Sequence, residues 1–189
     1  MARFPSLPEQ PYLADVFKRF GSGDWPLCEY HDIVLRGPSD WSVAERELMA
    51  AFVSGLNACG FCHASHTMIA ELHGIRGDIL EELLEDPIHR AVTPRLASVL
   101  AYLRKLTLTP SRMTDADAQA VFGQGVSEQA LYDAIAVCAL FNFMNRLVDG
   151  CGVMTSEANL AASRGRHETG LDHPAPYREF ARQLGFGPR

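Results

Sequence analysis

The sequence predicts an all-α fold, and three observations lead to this prediction. Apolar residues recur every three or four positions along several segments, as expected for helices that bury one face. Serine, threonine or proline precedes most of these segments, and glycine or proline often follows them, which are helix start and stop signals. No segment shows the strict alternation of apolar and polar residues that is typical of a half-buried strand.

Length and composition favour a single domain over residues 1–189. A chain of 189 residues, 47% hydrophobic and 21% charged, has enough apolar material for one sizeable core. Its net charge of −6 disfavours nucleic acid and anionic membranes as partners. The N-terminal residues lack a signal-peptide pattern, and the longest apolar run, 134–141, is too short to cross a bilayer. We therefore expect a cytoplasmic protein whose five cysteines are mostly reduced.

Proline and glycine divide the chain into predicted helices. The Pro-rich start is expected to be an extended N-terminal arm. The C-terminal tail from residue 165 is expected to be irregular, because Pro174, Pro176 and Gly185 interrupt it. Between these ends, helices are predicted at 12–20, about 26–36, 42–57, 59–73, 78–85, 94–108, 114–122, 127–150 and 156–164.

Most of these boundaries have a local signal. Starts are marked by a capping side chain or by an early proline, at Pro26, Ser42, Pro94, Thr114 and Ser127. Stops are marked by glycine or proline, at Gly21, Gly37, Gly74, Pro110 and Gly150. The boundary near residue 57 has a weaker signal, and it decides which side chains can meet.

Glu47 is a candidate functional residue whose position depends on that boundary. Because Glu45 has the helix-capping role, Glu47 is the freer of the two acids. In an unbroken helix Glu47 would lie about 18 Å from Cys59, too far for contact. A turn at 57–58 would instead fold two helices into a hairpin, in which Glu47 and His66 lie level.

A pair of cysteines and two histidines occupy one face of the helix predicted at 59–73. With about 100° between residues, Cys59, Cys62 and His66 share a narrow face, and His63 lies beside it. Cysteines in the first turn of a helix, next to an imidazole, are favoured as thiolates. Two cysteines within one turn can also close a disulfide after one sulfur is oxidised to sulfenic acid. The residues therefore predict a redox-active dithiol.

Two other cofactor-dependent interpretations fit parts of this motif. The run 59–63 matches the attachment motif for c-type haem, but that chemistry normally needs export, for which no signal is present. Zinc could bind the two thiols and His66, with His63 or Glu47 as fourth ligand. Structural zinc sites usually use two separated ligand pairs, so this interpretation is disfavoured, and we expect neither a metal nor another bound cofactor.

Buried, unreactive thiols are the remaining alternative. We expect this state for the three isolated cysteines, Cys28, Cys138 and Cys151. It is a weaker explanation for two cysteines with an imidazole on the same helical face. If it nevertheless applied to them, the chain would be a non-catalytic binding or metal-sensing protein.

The sequence spacing of four candidate residues is fairly specific. They are Glu47, Cys59, Cys62 and His66. This spacing resembles that of the AhpD-like fold in the carboxymuconolactone decarboxylase family, and more closely that of its peroxidase-related alkylhydroperoxidase branch. The segments 38–48 and 141–152 are also similar, and the resemblance covers about residues 35–155.

The resemblance implies a homo-oligomeric all-α protein with a helix-hairpin core that reduces organic hydroperoxides. No bound cofactor is needed, and a thiol or dithiol reductant of unknown identity would supply the electrons. By position, Cys62 would attack the peroxide, and Cys59 would be its proton donor and resolving partner. His66 and Glu47 would form the proton relay.

The chain departs from the family pattern at one position. The best-studied members carry a histidine between the cysteines, where this chain has Phe61, and His63 is an alternative candidate for the relay. The decarboxylase branch does not depend on a cysteine pair, so its activity is disfavoured. A general disulfide oxidoreductase remains an alternative with the same thiol chemistry.

Overall fold

The computed structural model of the chain describes residues 3–21, 23–85 and 92–188. These residues form ten α-helices and no strand, which confirms the all-α prediction. In chain order the helices are α1 (Leu13–Phe20), α2 (Asp24–Arg36), α3 (Val43–Leu56), α4 (Gly60–Leu72), α5 (Asp78–Glu85), α6 (Pro94–Leu108), α7 (Asp115–Phe122), α8 (Glu128–Cys151), α9 (Glu157–Thr169) and α10 (Pro176–Gln183).

Helices α3 and α4 form the hairpin that the sequence analysis depended on. The backbone N–H of Ala58 donates to the Gly55 carbonyl at 2.9 Å, and that of Cys59 donates to Ser54 at 3.0 Å. Ala58 has a φ of 55°, a left-handed conformation that costs an L-residue on the order of 1 kcal/mol. Because the chain reverses here, α4 packs back along α3.

Helix α3 lies at the centre of the fold. Every residue from Leu48 to Val53 is completely buried, because α3 packs against α4, α5, α6 and α8 on different sides. A helix that is apolar all round is expected only in such a fully enclosed position. A polar residue on α3 is therefore removed from water unless it lies at an end of the helix.

Helix α8 is the longest helix and packs along α3 and α6. The indole N–H of the buried Trp41 donates to the Ala130 carbonyl at 2.7 Å, which fixes the start of α8 against the segment before α3. Among the described residues, α8 alone is long and apolar enough to cross a membrane, and half of its most apolar window is buried inside the protein. That burial is what a core helix also requires.

The prediction of an irregular C-terminal tail is wrong. Helix α9 continues to Thr169 and α10 follows, packed against α2. Pro176 occupies the first turn of α10, where proline is favoured. The cap of this helix comes from a distant residue, since the Asp32 carboxylate on α2 accepts the backbone N–H groups of Tyr177 and Arg178, each at 3.0 Å. Such a cap leaves no signal in the local sequence.

The N-terminal arm precedes α1 without forming a helix. It contains a turn in which the N–H of Leu7 donates to the Phe4 carbonyl at 3.1 Å, and Leu7 is buried. The arm is held near the α8–α9 connection, because the Pro11 carbonyl accepts the N–H of Met154 at 3.1 Å. The end of the arm thereby lies beside the C-terminal helices.

Candidate functional site

The carboxylate of Glu47 lies in the interior of the protein and is surrounded by donors. Glu47 is 0% exposed on α3. One of its oxygens accepts the Nδ1–H of His66 at 2.6 Å, as the predicted hairpin requires. The other forms an ion pair with Arg36 at 2.6 Å and accepts the phenol O–H of Tyr177 at 3.3 Å. Three separate elements, α2, α4 and α10, therefore converge on one carboxylate.

The charge of Glu47 follows from these contacts. Burial raises the pKa of this carboxyl, but the Arg36 guanidinium and the His66 imidazole together lower the pKa well below its ordinary value. The same contacts act in the opposite direction on the phenol, because burial and the adjacent carboxylate raise the pKa of Tyr177. Glu47 is consequently an anion at neutral pH, and Tyr177 is a neutral donor.

His66 is fixed in orientation by that anion. Because Nδ1 donates to Glu47, Nε2 is the ring nitrogen left for chemistry, and it has no partner among the described residues. The Phe141 ring meets the imidazole edge-on, with ring centroids 4.4 Å apart. His66 is 8% exposed, so its free nitrogen is largely shielded from bulk solvent.

The two cysteines occupy the hairpin turn and the first turn of α4. Cys59 is the N-cap residue of α4, and Cys62 follows within one turn. They are 0% and 3% exposed, and all five cysteines of the chain are free thiols. Both sulfurs lie where backbone N–H groups at the start of a helix favour negative charge.

The thiols share a proton unequally. A hydrogen bond from Cys62 lowers the pKa of Cys59. The same hydrogen bond, followed by burial, raises the pKa of Cys62. Cys59 is therefore the more acidic thiol of the pair, with the Cys62 S–H as the donor to its sulfur. The resemblance assigned the attack on peroxide to Cys62, so that role requires the shared proton to move first.

Helix α8 supplies the other close neighbours of the two thiols. Hydrogen bonding from Asn145 lowers the pKa of Cys62, while Asp149 raises the pKa of Cys59. The pKa values of the two thiols are therefore set by their mutual hydrogen bond, by burial and by these α8 side chains. The side-chain hydrogen bond of His66, in contrast, goes to Glu47. The hairpin thus carries two adjacent groups, a dithiol and a Glu–His pair.

Asn145 also connects the hairpin turn to α8. Its side-chain oxygen accepts from Asn57 at 2.8 Å, and its amide donates to the Ser54 hydroxyl at 3.0 Å. Asn57 donates in addition to Asn142 at 3.2 Å, and Arg146 donates to the same Asn142 oxygen at 3.0 Å. These bonds assign Asn145 a buried structural role beside the thiols, which the sequence could not do.

The other candidates lie away from the Glu–His pair. His63 is turned toward α3, where its Nδ1–H donates to the Ala51 carbonyl at 2.9 Å. Within residues 3–21, 23–85 and 92–188, no three His, Cys, Asp or Glu side chains converge as a metal site would require. The four-ligand zinc set considered from the sequence is therefore not assembled.

A cavity of about 180 Å³ opens beside His66. Its walls come from α4, α9 and α10, with the start of α1 closing one side, and neither Cys59 nor Cys62 lines it. Phe61 forms part of the wall and meets Tyr12 edge-on, with ring centroids 5.4 Å apart. Sequence reasoning missed this cavity, because it treated the C-terminal segment as irregular.

Arg36 and Tyr177 are two further site residues that the sequence did not reveal. Arg36 stands in the last turn of α2, where a basic residue has an ordinary role in balancing the helix dipole. Tyr177 lies 130 residues after Glu47, in the segment expected to be irregular. No spacing rule connects either residue to Glu47, so only the packed structure reveals them.

Comparisons with known proteins agree with this fold. The family model of the carboxymuconolactone decarboxylase family matches residues 24–105. A solved structure of an uncharacterized peroxidase-related protein from Silicibacter sp. TM1040 is 22% identical, with a TM-score of 0.65 and coverage of 70% of each chain. No protein in a search of curated sequences matches significantly.

A second solved structure covers more of the chain. It is the alkylhydroperoxidase AhpD core of an uncharacterized peroxidase-related protein from Ralstonia eutropha JMP134, with 20% identity and a TM-score of 0.69. It covers 86% of this chain and 96% of its own. At such identities the likeness establishes the AhpD core fold alone. The matched segment 24–105 contains the hairpin and all four spaced residues. Residues 24–105 of the chain are therefore similar to the carboxymuconolactone decarboxylase family.

Proposed function

We propose that this protein is a thiol-dependent hydroperoxide reductase. The observation that carries the proposal is the dithiol at the start of α4, beside a histidine whose Nδ1 is held by an ionised carboxylate. A thiolate supplies the nucleophile, and the histidine can manage the proton of the leaving group. The peroxidase-related names of two proteins with the same fold support this choice of reaction.

The proposed reaction begins with transfer of the shared proton. Cys62 gives its S–H proton to the Cys59 thiolate, and its sulfur attacks the terminal oxygen of the hydroperoxide. The O–O bond breaks, the sulfur becomes a sulfenic acid, and the alkoxide leaves. The His66 imidazolium donates a proton to this alkoxide, which departs as an alcohol.

The second step closes the disulfide. Cys59 attacks the sulfenic sulfur of Cys62, the S–O bond breaks, and the leaving hydroxide takes the Cys59 proton to form water. With the proton of one thiol held on His66 at the start, the sum is one hydroperoxide and two thiols converted to one alcohol, one disulfide and one water. An external thiol or dithiol then reduces the disulfide, and no bound cofactor takes part.

Glu47 has a fixed role in this scheme. Because its pKa lies well below the ordinary value, it does not exchange a proton near neutral pH. It instead orients the ring of His66 and stabilises the imidazolium that protonates the alkoxide, as the buried carboxylate of a catalytic triad does. We therefore assign proton transfer to His66 and positioning to Glu47.

Single-turnover kinetics test the proposal. The reduced protein should consume one equivalent of tert-butyl hydroperoxide and lose two thiols, and Cys62→Ser should abolish this consumption. Cys59→Ser should consume peroxide more slowly, because Cys62 loses its proton acceptor, and should accumulate sulfenic acid, which dimedone traps. Cys138→Ser, at a buried thiol outside the pair, is the matched control and should remain active. Unchanged turnover in Cys62→Ser would refute the assignment.

General disulfide exchange is the second candidate function. It is favoured by the lowered pKa of Cys59, since the more acidic thiol of such a pair attacks and leaves more readily at neutral pH. Comparing rates with tert-butyl hydroperoxide and with a small disulfide separates the two functions. A faster disulfide reaction that depends on Cys59 would favour exchange.

The cellular location and the oligomeric state of the protein are also proposals. We place the protein in the cytoplasm, where reducing conditions maintain free thiols, and expect a homo-oligomer. Sedimentation velocity of the reduced protein tests the expected assembly. A purely monomeric species across the working concentration range would contradict it.

A further inference from the structure

The cavity beside His66 is built largely by a part of the chain outside the family match. Helices α9 and α10 begin after residue 155, whereas the matched segment ends at residue 105. They place Ser163 and His167 from α9 and Tyr177 and Phe180 from α10 around the cavity. Because Tyr177 also bonds Glu47, the cavity and the buried carboxylate share one structural element.

The size of the cavity limits what it can hold. A buried apolar cavity of about 150 Å³ accommodates one benzene ring. The cavity at His66, about 180 Å³, has room for one aromatic ring or a compact branched alkyl group. Its lining includes apolar side chains on both walls, Phe61 and Ile69 on α4 and Phe180 on α10.

The charges around the cavity favour an uncharged ligand. Burial lowers the pKa of His167 to about 4, so this imidazole is neutral at physiological pH. Arg166 and Glu179, of opposite charge, also contribute to the lining. The His66 nitrogen Nε2 is one polar group in the lining that an otherwise apolar ligand can reach.

The geometry of α4 relates the cavity to the dithiol. Taking Phe61 as zero on a helix with about 100° per residue, the lining residues Ser65, Ile69 and His66 fall at about 40°, 80° and 140°. Cys62 falls at about 100°, inside this arc and one turn before His66. Cys62 therefore shares the face of α4 that carries the lining residues, although it does not itself line the cavity.

We infer that α9 and α10 complete a binding site for the organic group of the substrate, an uncharged hydroperoxide carrying one aromatic ring or a compact branched alkyl group. Its peroxide end lies at His66 Nε2, facing the Cys62 turn. The inference rests on the proposed hydroperoxide reductase function, and it assigns substrate selection to Ser163, Phe180 and their neighbours.

A cavity-filling variant tests this site. Ser163→Leu adds apolar volume from α9, and Ala162→Leu adds the same group at the exposed neighbouring position. Ser163→Leu should lower kcat/KM for cumene hydroperoxide by about tenfold or more, while hydrogen peroxide, which needs no cavity, changes by less than about twofold. Ala162→Leu should leave both values unchanged. Equal losses for both peroxides, or no loss, would overturn the inference.

A binding measurement separates this inference from the proposed reaction. The alcohol product 2-phenyl-2-propanol should bind reduced wild-type protein in calorimetric titration and should bind Ser163→Leu much more weakly. If the wild type binds the alcohol but turns over no peroxide, the cavity assignment stands and the reaction fails. If both proteins bind equally or neither binds, the cavity assignment fails. Ser65→Leu, from the opposite wall on α4, repeats the test should Ser163→Leu not fold.

Discussion

Replacing Arg36 by leucine should destabilise the protein by about 3–5 kcal/mol at neutral pH. The Arg36 side chain is 5% exposed and the Glu47 side chain 0%, with 2.6 Å between the charged atoms. Removing the guanidinium leaves a carboxylate buried without its cationic partner, and water cannot replace that partner. His66 and Tyr177 would still donate to Glu47, so part of its stabilisation remains.

An exposed ion pair provides the matched control. Arg164 pairs with Glu71 at 2.9 Å, but these side chains are 41% and 36% exposed. Arg164→Leu should therefore cost no more than about 1 kcal/mol, since exposed ion pairs contribute little. Both variants remove the same side chain from an ion pair, and they differ in burial. Urea unfolding of the two variants and the wild type measures the difference.

The pH dependence gives the experiment a second readout. In the wild type, the pKa of Glu47 is lowered in the folded state, so its stabilisation is present above the unfolded pKa and is lost as pH falls through the folded one. Without Arg36, burial should raise the folded pKa of Glu47. Below that raised pKa, the folded variant binds one more proton than the folded wild type. The difference in unfolding free energy between the two proteins should therefore shrink as pH falls, by up to about 1.4 kcal/mol per pH unit. A deficit no larger than that of Arg164→Leu, or one that does not change with pH, would refute this account of the buried carboxylate.

Two further predictions concern the phenol and the dithiol. Tyr177→Phe removes the 3.3 Å bond to Glu47 and should cost about 1 kcal/mol in urea unfolding while hydroperoxide turnover persists; a loss as complete as in Cys62→Ser would contradict a supporting role. The ultraviolet absorbance of thiolate should rise, on titration of the wild type, below the ordinary cysteine pKa of about 8.5. Cys59→Ser should remove this early step, and its survival in that variant would assign the resting thiolate elsewhere.

The central hairpin could be predicted because its determinants are local. Ser42 accepts the N–H of Glu45 at 3.2 Å, and Glu45 reaches back to the N–H of Ser42 at 2.8 Å, as the capping pattern indicated. The break before Cys59 had only a weak signal in the sequence, since Ala58 adopts a conformation that alanine disfavours. What favoured the break was the requirement that Glu47 and His66 meet, which the structure satisfies.

The surroundings of the site could not be predicted, because their determinants are distant in sequence. Helix α10 is capped by Asp32, and its Tyr177 lies 145 residues later in the chain than that cap. Pro174, Pro176 and Gly185 outweighed any helical signal there, although Pro176 in fact starts the helix. A proline that appears to interrupt a segment can therefore instead mark the start of a helix.

The residues that could be predicted and those that could not have different chemical roles in the mechanism that we propose. The reacting groups Cys59, Cys62 and His66 lie within eight residues of one another, so helix geometry alone places them on one face. The groups that set their charge and access come from other helices, with Arg36 on α2 and Asn145 on α8. A related chain could therefore keep the motif unchanged and still differ in thiol acidity and substrate choice. For this reason the variants that best distinguish the proposals lie outside the motif, on the helices that surround it.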